Sequence, residues 1–201
     1  MGSACCCEDA PDYVETGASA VLSGDVWSLQ HDEFDSTGSV FHATLRRRAD
    51  MPWGFLFEEV PFLNILVVTK LVAELSDDRI KDGDYILCVN NTRNAEEMKD
   101  ILEQQRQVDM LVGHPYVFTT AVPTGGLRLG MEVRHLLSGL ALFVGEVERD
   151  GAAAAAGADF RPGDRIIGVD RRTSIADMMA VLPMSDEPEI VVSRVPVLVF
   201  L

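Results

Sequence analysis

The sequence predicts an α+β protein, mostly β, made of two tandem copies of one small domain behind an acidic N-terminal tail. Three observations carry this expectation. Residues 80–90 and 160–170 repeat one pattern at an offset of 80 residues, too long a period for a solenoid and right for a duplicated domain. Short apolar runs of strand length, separated by Gly, Asp, Asn and Pro, dominate over helical spacing. Composition changes near residue 40, where acidic, Gly- and Ser-containing sequence gives way to apolar runs. Hydrophobic residues make up 47% of the 201-residue chain, enough for a core in each copy.

Charge and cysteine usage narrow the function. The formal net charge of −15 argues against nucleic-acid binding, which needs clustered Lys and Arg, and against docking on anionic lipid by charge alone. No run approaches the roughly 18 apolar residues of a membrane span, and the pattern of a secretory signal is missing. Cys5, Cys6 and Cys7 are consecutive and only Cys88 lies elsewhere. That is a poor disulfide framework, which implies a reducing, cytosolic compartment.

Three parts follow in order: a tail at 1–39, a first domain at 40–114 and a second at 116–201. Glu8, Asp9, Asp12, Glu15, Asp25, Asp32, Glu33 and Asp35 give residues 1–40 a charge of −8 with no Lys or Arg. That composition favours an unfolded spacer, reaching on the order of 30 Å for residues 8–40. Within each copy the pattern predicts strands at 41–47 and 116–122, then at 54–59 and 130–134, then at 64–69 and 140–147. Short helical segments at 71–76 and 152–158 precede a Gly-Asp turn and strands at 84–89 and 164–169. Helices at 94–105 and 174–182 rest on the spacing of Met98, Ile101 and Leu102, and of Ile175, Met178, Met179 and Leu182. Final strands are expected at 107–112 and 188–194. Only His114-Pro115 separates the copies, which predicts two modules that move as one.

The repeated segments are Lys81-Asp82-Gly83-Asp84-Tyr85-Ile86-Leu87-Cys88-Val89-Asn90 and Arg161-Pro162-Gly163-Asp164-Arg165-Ile166-Ile167-Gly168-Val169-Asp170. Both resemble the strand-entry signature of PDZ domains, and Asp150-Gly151 followed by five alanines and Gly157 resembles that family's first helix. The resemblance covers residues 40–195. It implies two PDZ-like, partly open barrels, each of five to six strands with two helices. It also implies a groove where an extended peptide adds to a sheet edge while backbone N–H groups hold its terminal carboxylate.

The loop that would hold the carboxylate reads Pro52-Trp53-Gly54-Phe55 in the first copy and Arg128-Leu129-Gly130-Met131 in the second. Glycine lets the backbone approach the anion without a Cβ in the way. The first copy is the better match, with Leu56 and Phe57 continuing the strand and Arg46, Arg47 and Arg48 upstream, where the family often keeps a basic residue. By the resemblance, Trp53, Phe55, Phe57, Met98 and Leu102 line its terminal pocket. The second groove would use Leu129, Gly130 and Met131 with Met178 and Met179. No His opens either second helix, at Asn94/Ala95 or Ser174/Ile175, so the resemblance implies an apolar last residue and no Ser/Thr requirement two positions earlier.

No catalytic constellation emerges. His42, His114 and His135 are scattered, His31-Asp32-Glu33 lies in the tail, and no nucleophile elbow, phosphate loop or His-Glu-x-x-His is present. No metal or cofactor is implied: three adjacent thiols cannot wrap one tetrahedral ion, and no Cys-x-x-Cys spacing exists. Cys88, inside a strand, reads as an inert thiol. Met1-Gly2-Ser3-Ala4-Cys5-Cys6 resembles the N-myristoylation pattern, departing from it at Cys6 in place of Ser or Thr. Gly2 would carry one acyl chain, and Cys5, Cys6 and Cys7 the palmitoyl chains that make attachment stable.

The expectation is a non-enzymatic adaptor, lipid-anchored on the cytoplasmic face of a membrane, that binds C-terminal or internal peptide segments of proteins. The alternative is a self-associating membrane tether. Gly125-Gly126-Leu127-Arg128-Leu129-Gly130 and Ile166-Ile167-Gly168-Val169-Asp170 resemble the second domain of the Golgi reassembly and stacking proteins. Those domains are circularly rearranged, whereas a strand precedes each loop here.

Overall fold

The computed structural model describes residues 39–47, 51–60, 62–72, 77–135 and 142–196. Gly2, Cys5, Cys6, Cys7, Arg48 and all of the tail expected at 1–39 except Ser39 lie outside the described residues. The first unit runs β1 (Val40–Arg46), β2 (Phe55–Val60), β3 (Ile65–Leu71), β4 (Tyr85–Val89), α1 (Ala95–Gln104) and β5 (Gln107–Gly113). The second runs β6 (Tyr116–Ala121), β7 (Met131–His135), β8 (Leu142–Val147), α2 (Ala152–Ala155), β9 (Arg165–Val169), α3 (Ile175–Val181) and β10 (Glu189–Arg194).

Each unit is one five-stranded antiparallel sheet, ordered β1-β5-β4-β3-β2 in the first and β6-β10-β9-β8-β7 in the second. Neither sheet closes on itself, so β2 and β7 are edge strands beside α1 and α3. The strand that comes first in each unit pairs with its last, Val40 opposite Gly113 and Tyr116 opposite Arg194. Both units therefore keep the unrearranged strand order.

The repeated motif has one physical meaning in both copies. Gly83 and Gly163 turn the chain at φ of +92° and +89°, which a side chain would resist. The next residue folds its carboxylate back on the turn: Asp84 accepts from the Lys81 N–H and Asp164 from the Arg161 N–H, each at 2.8 Å. After the strand, Asn90-Asn91 and Asp170-Arg171 both sit in the left-handed region, closing bridges from Val89 to Thr92 and from Val169 to Arg172. The Asn90 and Asp170 side chains then accept from the last strand, at the N–H of Asp109 and Glu189, each at 2.8 Å. The helices start where their caps place them: Asn94 accepts from the Glu97 N–H and Ser174 from the Asp177 N–H.

Two predicted elements differ. Leu71 ends β3 instead of opening a helix, and residues 73–76 of that expected helix lie outside the described residues. The helix expected over 152–158 is a single turn, Ala152–Ala155, stopped where Gly157 turns to φ +68°.

Each unit has its own core, around Leu66, Ile86, Met98 and Met110 in the first and Leu142, Ile166, Met178 and Val192 in the second. A third buried cluster joins the units: Val60, Ile65, Val67, Tyr85 and Leu87 from the first pack with Phe143 and Val195 from the second. The Tyr85 hydroxyl donates across this seam to the Ser193 carbonyl at 3.1 Å, and the Arg165 guanidinium lies over the Tyr85 ring at 5.7 Å. A seam with a fully buried Phe and Tyr at its centre resembles a core more than a surface contact.

Candidate peptide grooves

The first groove lies between β2 and α1. Gly54 turns at φ +89° and its carbonyl accepts from the Val72 N–H at 2.8 Å. Trp53, beside it, reaches across to the helix. Its indole Nε1–H donates to the Leu102 carbonyl at the end of α1 at 2.6 Å, and its ring packs on the core that contains Phe55, Met98 and Leu102. Phe55, Met98 and Leu102 are themselves buried, and the Phe57 ring lies tilted against Phe55 at a centroid distance of 5.9 Å. Arg47 lies over the Trp53 ring at 5.2 Å and donates to the carbonyls of Glu103 and of Gln105, the latter at 2.9 Å. Farther along, Lys99 of α1 pairs with Glu59 of β2 at 2.7 Å. Helix, loop and edge strand are thus tied together across the space a peptide would need. Arg46 bonds instead to Gln107 on β5, and Leu56 is exposed.

The second groove, between β7 and α3, is open. A cavity of about 600 Å³ runs along it, walled by Leu129, Met131 and Val133 on one side and Met179, Leu182 and Met184 on the other. Leu129 stands where Trp53 does in the first unit, and its smaller side chain does not bridge to the helix. Gly130 is required on two counts: φ is +70°, and an added Cβ would lie 2.3 Å from the Gly151 Cα. The carbonyls of Arg128 and Leu129 are turned away, accepting from the N–H groups of Ala152 and Ala153 at 2.9 and 3.0 Å, while the Gly130 carbonyl accepts from Glu148 N–H at 2.8 Å. Among the described residues, no carbonyl accepts from the N–H groups of Leu129 and Gly130. These two donors at the cavity's end form a place for an anion. Arg128 lines the cavity and pairs with Glu148 at 2.9 Å, both on the surface. Asp186 lies on the same rim, its carbonyl accepting from the Thr124 N–H at 2.8 Å and hydroxyl at 3.0 Å.

The two grooves therefore differ, with side chains bridging the first and a cavity along the second. Trp53, which reads in the sequence as pocket lining, also hydrogen-bonds the end of α1. Met98 and Met178 point into their cores, whereas Met179, one residue on, is 45% exposed and faces the cavity. Val133, Leu182 and Met184 are wall residues not singled out as a site, and of these Leu182 is legible in the sequence. Its place seven residues into the helix from Ile175 puts it near Met178 and Met179 on one turn-repeated face.

The two turns after the repeated glycines end in different buried pairs. Asp84 meets the Nδ1 of His114 at 2.8 Å, and burial pushes its carboxyl above the usual range, opposed by the His114 and Lys81 hydrogen bonds. Asp164 takes a two-pronged bond from Arg194, at 2.7 and 2.6 Å, and Arg194 also donates to the Asp159 carboxylate at 2.9 Å.

The strand order, the paired edge strand and helix, and the Gly-turn loop are now in view for both units. The fold is PDZ-like. No family model matches the chain, and no curated protein does. Among solved structures the chain is similar to INAD PDZ45 in its complex with NORPA CC-PBM, at 13% identity and a TM-score of 0.36, over 78% of this chain and 92% of that one. It is likewise similar to INAD PDZ45 in complex with NG2 peptide, at 14% identity and a TM-score of 0.34, over 78% and 90%.

Proposed function

We propose that the chain is a non-enzymatic adaptor whose second unit captures an extended peptide ending in a free carboxylate and an apolar side chain. The supporting observation is the 600 Å³ cavity between β7 and α3, apolar on both walls, with the N–H groups of Leu129 and Gly130, which meet no backbone carbonyl among the described residues, at its end. A peptide strand laid along β7 would satisfy that edge strand's outer backbone groups. Its last side chain would enter between Leu129, Met131, Met179 and Leu182, and burying a Val or Leu there contributes roughly 1.5–3 kcal/mol. The two backbone donors would meet the carboxylate. The first unit, closed by Trp53 and Arg47, serves as a rigid mount for the second. In this reading Gly2 and Cys5, Cys6 and Cys7 carry acyl chains that hold the adaptor at the cytoplasmic face of a membrane.

Calorimetric titration of the full chain with C-terminal peptides tests the groove. Peptides ending in Val, Leu, Ile or Phe should bind, and C-terminal amidation should weaken them sharply. Met179→Asp, at an exposed position, should abolish binding without unfolding the protein. Equal binding of amidated peptides would rule out a carboxylate site.

A further inference from the structure

The second groove holds an unusual share of the chain's sulfur. Three of the methionines, Met131, Met179 and Met184, line its cavity. Met179 is 45% and Met184 81% exposed, so oxidants in solution reach both. By contrast Met98, Met110 and Met178 are at most 1% exposed, each inside a core. Met51, outside this groove, is 57% exposed as well. Neither of the groove's two exposed sulfurs carries the fold: α3 is anchored by Met178 and Leu182, and Met184 lies just past the helix, its N–H donating to the Val181 carbonyl at 2.9 Å. Leucine would fill similar space on these walls, but a thioether differs from it in being chemically convertible.

We propose that Met179 and Met184 are a peroxide-responsive modification site that switches the second groove from apolar to polar. The thioether sulfur attacks one peroxide oxygen, the O–O bond breaks, an S–O bond forms, and the departing hydroxide takes the remaining proton to leave as water. Sulfur loses two electrons and the peroxide gains them, so no further reactant is needed. The product is a chiral sulfoxide whose oxygen is a strong acceptor. Thr124, Arg128 and Ser185 bring donors to the cavity, but Leu129, Met131, Val133, Leu182 and Pro183 make much of its lining apolar, so each sulfoxide adds a polar group to an apolar wall. A ligand's apolar side chain would then have to strip water from the sulfoxide. The core methionines stay reduced, so the unit keeps its fold while losing its ligand, and methionine sulfoxide reductases restore it. The loss of peptide affinity rests on the groove assigned above, whereas the order of oxidation does not.

The test treats the full chain with graded hydrogen peroxide, maps oxidation by mass spectrometry, and measures two probes: an apolar-terminated peptide and an environment-sensitive apolar dye. Met179 and Met184 should reach full conversion before Met98, Met110 or Met178 react. At that point peptide affinity should fall at least about five-fold, as expected when an apolar contact must desolvate a polar group. Dye fluorescence should fall with it. The Met179→Leu/Met184→Leu chain, whatever its own affinity for the two probes, should keep that affinity through peroxide treatment. Oxidation of the core methionines in step with the exposed pair would overturn the proposal, as would unchanged dye and peptide binding after both sulfurs are converted. If the untreated chain binds dye but no peptide, the peptide reading fails while the dye still judges the switch. If it binds neither, both fail.

Discussion

Asp84 and Asp164 occupy the same position in the two repeats, and replacing each with Asn should have unequal consequences. Asp164 is 2% exposed and neutralises Arg194 through two short bonds. Asp164→Asn leaves a buried guanidinium whose one counter-charge is the surface carboxylate of Asp159, beside that residue's backbone carbonyl, so the loss should approach the low end of a broken buried pair, about 3 kcal/mol. Asp84 is equally buried but faces a half-exposed imidazole, and burial lifts its carboxyl above the ordinary value. Asn in its place can still accept from the Lys81 N–H, and it removes the cost of burying a charge. Asp84→Asn should therefore change stability at pH 7 by less than about 1 kcal/mol. The pH dependence has a definite sign. A carboxyl whose folded pKa is raised binds more protons folded than unfolded. The wild type is thus favoured over Asp84→Asn at low pH, and that advantage is lost as pH rises from about 3.9 through the raised value. Urea unfolding of the three proteins across pH 3.5–8 measures this. Equal losses in the two variants, or an advantage that grows with pH, would refute this account of the two pairs.

Further predictions follow from the seam, the closed groove and the tail. Trp53→Ala should cost about 2–3 kcal/mol, less than a fully buried Trp because the ring is only partly covered, and calorimetry should find new peptide binding in the first groove of Arg47→Ala/Trp53→Leu. Residues 41–195 should share one rotational correlation time in relaxation measurements. Phe143→Ala, by emptying the seam, should lower stability by about 3–5 kcal/mol and let the halves tumble separately. In cell fractionation the full-length chain should partition to membranes, Gly2→Ala should release it, and Cys5/Cys6/Cys7→Ser should weaken the attachment. A wholly soluble wild type would end the acylation reading.

Much of the fold is legible because it is written twice. The Gly-Asp turns and the Asn90/Asp170 positions do the same work in both units, so a pattern ambiguous in one copy gains meaning from the other. Helix faces are also legible at Met98 and Leu102, whose spacing matches their burial. The groove is less so. Whether Trp53 lines a pocket or fills it depends on whether its N–H reaches the Leu102 carbonyl, a distance that no spacing encodes. Met178 and Met179 are chemically identical in the sequence, and only the roll of α3 sends one into the core and the other to the cavity. The seam was hidden for another reason. Phe143 and Tyr85 read as core residues of their own units, and nothing local marks them as facing each other.

The central claim is that the second groove, and not the first, takes the peptide. Backbone chemical-shift mapping of the full chain with a saturating apolar-terminated peptide tests it directly. The account predicts shifts at Leu129, Gly130, Met131, Met179 and Leu182, with Trp53, Gly54 and Phe55 unmoved. Shifts centred on Trp53, Gly54 and Phe55 would contradict it.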